Sequence, residues 1–177
     1  MGYRLITAPA VQPVTAAEVK LHCRIDDSAE DTLIATYIAA ATSHVELYTG
    51  RAIVEQTWEL VVDGFSDTIP LEKGPVQSIT SVKYFDTAGV EQTLATDQYE
   101  LDNVADPAAL VKPVDVSYPA TEDGTNKVTI RFVAGYTDIP EPIRAAIMVL
   151  VASWYDNRSA AAIPDAVPAI LTNYRSF

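Results

Sequence analysis

Asp138-Ile139-Pro140-Glu141-Pro142-Ile143-Arg144-Ala145-Ala146-Ile147-Met148-Val149-Leu150-Val151-Ala152-Ser153-Trp154-Tyr155 is the stretch whose reading decides the fold. Pro140 and Pro142 suit a first helical turn, where no amide hydrogen is required of them, and Asp138 with Glu141 offers a capping box. Beyond them Ile143, Ile147, Leu150, Val151 and Trp154 recur at helical spacing. Ala145, Ala146, Met148, Val149 and Ala152 make the other side nearly apolar too. A helix apolar all round is buried all round. Ile147, Leu150, Val151 and Trp154 are therefore expected in the core or at a contact between subunits, with the β-rich segment that precedes this helix or a neighbouring subunit covering the second face. The run contains Arg144 and is too short to cross a bilayer, and no apolar signal core opens the chain, so no membrane partner is expected.

Working back to the N-terminus, Thr15 followed by Glu18 is a capping-box pattern that predicts a short helix over 16–23. Asp27 or Ser28 is placed to cap a longer one, with Glu30 and Asp31 in its first turn, where the helix dipole favours anions. Ile34, Tyr37, Ile38, Ala41, Val45 and Tyr48 share one face of that helix, and Gly50 is placed to stop it. From Arg51 the period changes. Ile53 to Val62, Ser78 to Phe85, Val90 to Leu94, Gln98 to Leu101 and Lys127 to Val133 read as strands, and Asp86-Thr87-Ala88-Gly89 as a hairpin turn. Pro107, Pro113 and Pro119 mark a loop-rich passage in which long central strands are not expected.

The expected fold class is α+β: residues 1–50 and 138–158 form a helical body, and 51–137 a β-rich insertion between them. Residues 159–177 form a C-terminal tail. It begins with small residues suited to a linker, and Val167, Ile170, Leu171 and Tyr174 then stand at the spacing of a short amphipathic helix. Such a stripe is too short to hold a helix alone in water, so it needs a groove, on a partner or on its own subunit. Docking on a partner is the expectation taken forward.

Composition narrows the function. With 49% hydrophobic and 20% charged residues the chain is a folded protein and not a disordered acidic tail. The net charge is −12, and residues 51–137, with 14 acids against 6 bases, hold −8 of it. Such a surface repels phosphate backbones, which leaves only passive contact with DNA. The single Cys23 excludes an intrachain disulfide and a multi-thiolate metal site, and fits assembly in a reducing cytoplasm.

No catalytic, cofactor-binding or metal-binding set emerges. In the acid cluster Asp26, Asp27, Ser28, Glu30, Asp31, the sixth position of a calcium loop would be Asp31 where Gly is needed, and the twelfth Tyr37 where Glu is needed. His22 and Cys23 are neighbours and point about 100° apart on a helix, and with His44 they lack a spaced carboxylate motif. No phosphate loop, dinucleotide fingerprint or nucleophile elbow is present. The two tryptophans and nine tyrosines allow a carbohydrate- or receptor-binding module as the alternative, although aromatics at strand and helix periodicity are more often core or interface.

Four segments carry a resemblance. They are Pro13-Val14-Thr15 with its helix; Glu46-Leu47-Tyr48-Thr49-Gly50-Arg51 leading to Gln56-Thr57-Trp58; Pro75-Val76-Gln77-Ser78-Ile79-Thr80-Ser81-Val82-Lys83-Tyr84; and Phe132-Val133-Ala134-Gly135-Tyr136 followed by Pro140 and the helix to Trp154-Tyr155-Asp156-Asn157-Arg158. In this order they resemble the head-tail connector, or adaptor, proteins of long-tailed phages, prophages and gene transfer agents. The resemblance implies a structural subunit and not an enzyme, forming a ring, usually of twelve copies, beneath the portal protein in the particle neck. It implies a stopper or tail-completion protein as the partner below, assembly in a bacterial host, and no catalytic residues to carry over. An acidic lining would let DNA pass without sticking.

Overall fold

In a computed structural model, which describes residues 2–158 and 163–176, the capping box forms as written and starts helix α1, Ala16–Cys23. The Thr15 amide donates to Glu18 Oε2 at 2.7 Å, and the Glu18 amide donates to Thr15 Oγ1 at 3.2 Å. Thr15→Ala removes one arm of the box and is expected to cost about 1 kcal/mol, which lowers the melting temperature by roughly 4–8 °C in a unit of this size. Differential scanning calorimetry checks it; an unchanged melt would mean that packing alone holds α1.

Helix α2, Asp31–Thr49, begins differently from expectation. Neither Asp27 nor Ser28 caps it. Asp27 Oδ1 instead accepts the Ala29 amide at 3.0 Å in a local turn, and Glu30 occupies the cap position without a side-chain cap bond. Glu30 is engaged elsewhere: Arg158 grips both its oxygens at 2.7 and 3.1 Å, and the Tyr155 hydroxyl donates to it. Gly50 stops the helix with φ of 74°, its amide donating to the Glu46 carbonyl at 2.9 Å. A side chain is disfavoured at that left-handed φ.

Helix α3, Glu141–Asn157, starts at Pro140 with no side-chain cap, so the expected box of Asp138 and Glu141 does not form. The Pro140 carbonyl serves the amides of Ile143 and Arg144, and Pro142 in the first turn has no amide hydrogen that needs a cap. Ile143, Ala146, Ile147, Leu150, Val151 and Trp154 are buried. The helices α1, α2 and the last one, α4 (Ala166–Leu171), pack on α3, so helices supply the cover that was expected from the β-rich insertion, and Ala145, Met148, Val149 and Ala152 are half-buried.

The chain divides into two compact units, Met1–Pro9 with Glu55–Gly135 and Ala10–Val54 with Tyr136–Phe177. The second holds the four helices and a core of Ile34, Ile38, Val45, Ile53, Ile147, Leu150 and their neighbours. Residues expected in the insertion near its ends join this unit: Ile53 and Val54 lie in the helical core, and the Tyr136 amide donates to the Ile53 carbonyl at 3.2 Å.

The first unit is antiparallel β. Strands β1 (Gly2–Thr7), β2 (Gln56–Val62), β4 (Val76–Phe85), β5 (Glu91–Thr93) and β8 (Val128–Ala134) make a five-stranded sheet ordered β1-β2-β8-β4-β5. Strands β3 (Thr68–Leu71), β6 (Glu100–Asp102) and β7 (Ala108–Val111) make a three-stranded sheet ordered β3-β7-β6. Alternation places Val128, Ile130, Phe132 and Ala134 on the buried face of β8, where Ile130 lies between Leu60 and Val82 in register. The other face carries charge: Arg131 donates to Glu59 Oε1 at 2.6 and 3.0 Å, with Arg4 opposite Glu59 in register.

Strand β1 was expected in the helical body. It joins the sheet because Gln56–Val62 supplies its hydrogen bonds, a pairing between distant segments that no local pattern announces. The Tyr3 hydroxyl also accepts the Glu72 amide at 2.8 Å, and burial pushes this phenol up to about 12. Strand β7 fits between Pro107 and Pro113 because it is only four residues long. The hairpin turn is as read: Gly89 has φ of 76°, and its amide donates to the Asp86 carbonyl at 2.8 Å.

Candidate interaction surfaces

The residues first considered for chemistry are occupied structurally. Asp31 pairs with Lys20 at 2.8 Å, Glu30 with Arg158, and Asp27 with a backbone amide, so the acid cluster is a set of turn and helix-joining bonds. His44 stands edge-on to Trp154 with centroids 6.4 Å apart. Cys23 is half-buried, and burial pushes its thiol up. Among the described residues no group of three His, Cys, Asp or Glu is placed to hold a metal, and no helix is long and apolar enough to cross a membrane.

The carboxyls that join helices are held below their usual range. For Glu30 the cause is the hydrogen bond from Arg158, then that from Tyr155; for Glu18 it is the Thr15 backbone bond, then the Thr15 side chain. Lowered carboxyl pKa values stabilise the folded state above the usual carboxylate range, and that contribution is lost as pH falls through the folded values. The urea midpoint is therefore expected to fall from roughly pH 7 to roughly pH 3, and Glu30→Gln to flatten the dependence. An identical pH profile for wild type and Glu30→Gln would show that Glu30 plays no part.

Of the residues expected to dock a partner, Val167 and Leu171 are fully buried in the subunit's own helical core, and Ile170 and Tyr174 pack against it. The end of the chain is fastened as well. The Ser176 amide donates to the Thr49 carbonyl at 2.9 Å, and Arg51 Nε donates to the Tyr174 carbonyl at 2.7 Å. The stripe is thus covered by α2 and α3, because burial on its own core needs no second molecule. Of the linker expected at 159–164, residues 159–162 lie outside the described residues. Ile147, Leu150, Val151 and Trp154 are likewise buried in the core of their own subunit.

The open surfaces lie elsewhere. On the helical unit, Leu21 of α1 and Leu47 of α2 are each 83% exposed. Leu21 borders a groove of about 530 Å³ lined by Ala16, Ala17, Lys20, Leu21, Arg24, Ile25, Asp26 and Asp31. On the β unit, the loops beyond β6 and β7 carry Val104 at 93% and Val114 at 97% exposure, with Asp102, Asp106 and Asp115 exposed beside them. Sequence reasoning passed over Leu21 and Leu47. The available signal was that each stands off its helix's buried stripe: 200° of helical turn separates Leu47 from Val45 and Leu21 from Val19.

Both tryptophans are engaged in packing. Trp154 is buried against Tyr37 and His44, and Trp58 is edge-on to Tyr3 with Lys73 over its ring at 5.4 Å. What the surface offers is exposed apolar residues and acidic loops on well-packed scaffolds, the equipment of a structural assembly subunit.

Comparison with known proteins agrees. Residues 14–110 match the family model of the phage gp6-like head-tail connector protein, and the chain belongs to that family. The match runs from the residue before the capping box into β7. Solved structures extend the likeness to the whole chain. A chain in the neck of an empty gene transfer agent particle, computed with C6 symmetry, is 26% identical with a TM-score of 0.82, covering 100% of this chain and 96% of that one. A chain in the virion of a native gene transfer agent particle gives the same values. One in the neck of a native particle, computed with C12 symmetry, is 25% identical with a TM-score of 0.77 and the same coverage. No curated protein matches the chain. Family and structural neighbours are structural neck proteins and not enzymes, and the carbohydrate- or receptor-binding alternative is not favoured.

Proposed function

We propose that this head-tail connector works as one copy of a homo-oligomeric ring in the neck of a tailed phage or a gene transfer agent particle, where it joins head to tail and lets DNA pass. The observation that carries this reading is the full-length likeness to neck chains resolved with C6 and C12 symmetry. Twelve copies is the ring size consistent with both symmetries. The portal protein on the head side and a stopper or tail-completion protein on the tail side are the partners such a place requires. The net charge of −12 supports passage of DNA, because an acidic surface offers no counterion-release binding to phosphate.

Cryo-electron microscopy of particle necks tests the reading. The expected result is a ring of this chain between the portal and the tail-side protein, with co-purification of both partners. Particles whose necks lack the chain would reject it.

A further inference from the structure

We propose that the groove on α1 receives Leu47 from α2 of a neighbouring copy, so that these two unlike surfaces form one of the contacts closing the ring. The inference rests on the ring reading above and names the surfaces that reading leaves open.

The groove is apolar along Ala16, Ala17, Leu21 and Ile25, and its volume of about 530 Å³ accommodates a leucine side chain with room for the backbone that carries it. Of its four charged lining residues, Lys20 and Asp31 pair at 2.8 Å, and Arg24 and Asp26 are exposed to solvent, so an apolar occupant need not bury an unpaired charge. Leu47 is the matching projection. Ser43, Ala39 and Ala35 precede it at intervals of four on the exposed side of α2, and none is large enough to keep an approaching helix away. From Thr32 to Val45 the helix carries no Asp, Glu, Lys or Arg, in a chain with 36 such residues. An exposed helical face without charge, in a protein otherwise covered with acids, fits the apolar stretch of Ala16, Ala17, Leu21 and Ile25 and not the acidic remainder of the surface.

The occupant is a second copy, for two reasons. Cyclic rings join unlike patches head to tail, and the neck chains that match over the full length stand in cyclic symmetry. The groove also borders Asp31 at the start of α2, while Leu47 stands near its end. At 1.5 Å per residue the two lie about 24 Å apart along one helix, so a copy cannot fill its own groove.

The test is cross-linking in assembled particles. Cys23→Ser provides the background, and Leu21→Cys with Leu47→Cys provides the pair, treated with a short bis-maleimide. The expected result is a ladder of covalent multimers that requires both cysteines. Particles that contain the connector but give no ladder overturn the contact while leaving the ring standing; wild-type particles with no connector ring overturn the ring reading itself. A second variant guards against loss of assembly in the cysteine pair. Leu47→Glu, at an exposed position, is expected to melt as wild type does but to enter particles at least tenfold less. Its normal incorporation also overturns the contact.

Discussion

Replacing Leu150 with aspartate is expected to abolish folding of the helical unit, and with it assembly. Leu150 is fully buried in the middle of α3, the helix on which α1, α2 and α4 all pack. Deleting a buried leucine side chain alone costs about 2–5 kcal/mol. A carboxylate at that depth adds several kcal/mol more, because it would sit among the apolar side chains of that core. The sum is comparable with a whole domain's stability of roughly 5–15 kcal/mol. Loss of the cooperative thermal transition, together with rapid proteolysis in residues 10–54 and 136–158, is the expected outcome. A soluble Leu150→Asp chain with an unchanged melt would show that α3 is not the centre of the fold.

Removal of residues 163–177 is expected to destabilise the subunit severely, and this separates two roles for the tail. Val167 and Leu171 are fully buried, and Ile170 and Tyr174 pack on the same core. At roughly 1.5–3 kcal/mol for each large apolar side chain fully covered, Val167 and Leu171 together contribute about 3–6 kcal/mol. Truncation also bares the patches of α2 and α3 beneath them and deletes the bonds from the Ser176 amide to the Thr49 carbonyl and from Arg51 Nε to the Tyr174 carbonyl. The expected measurement is a large fall in the urea midpoint, with aggregation at temperatures the full chain tolerates. A truncated chain that melts as the full chain does, yet no longer co-purifies with portal, would return the tail to the docking role first expected of it.

Periodicity alone located most of the elements. The capping box at Thr15, the stop at Gly50, the hairpin at Asp86 and the period change on either side of the β-rich segment are local properties, set by side-chain hydrogen bonding, left-handed φ and the difference between periods of 3.6 and 2. The caps expected from Asp27 or Ser28 and from Asp138 failed because a side chain has several candidate partners in sequence and only one in space. Asp27 took a nearer amide, and at α3 the Pro140 carbonyl takes the Ile143 and Arg144 amides while Pro142 has no amide hydrogen to cap.

The sequence by itself determined an α+β chain with a buried central helix and an acidic β-rich segment, and, through ordered segments spread along its length, a connector-like protein without catalytic residues. Tertiary structure alone decided three further matters: that β1 belongs to the sheet, that the apolar stripe of α4 folds onto its own subunit, and that Leu21 and Leu47 remain uncovered. The physical reason is common to all three. Hydrophobic pattern fixes which faces must be buried, but an apolar face gains about the same free energy against any apolar surface, so the choice of cover rests on which segments the folded chain brings within reach.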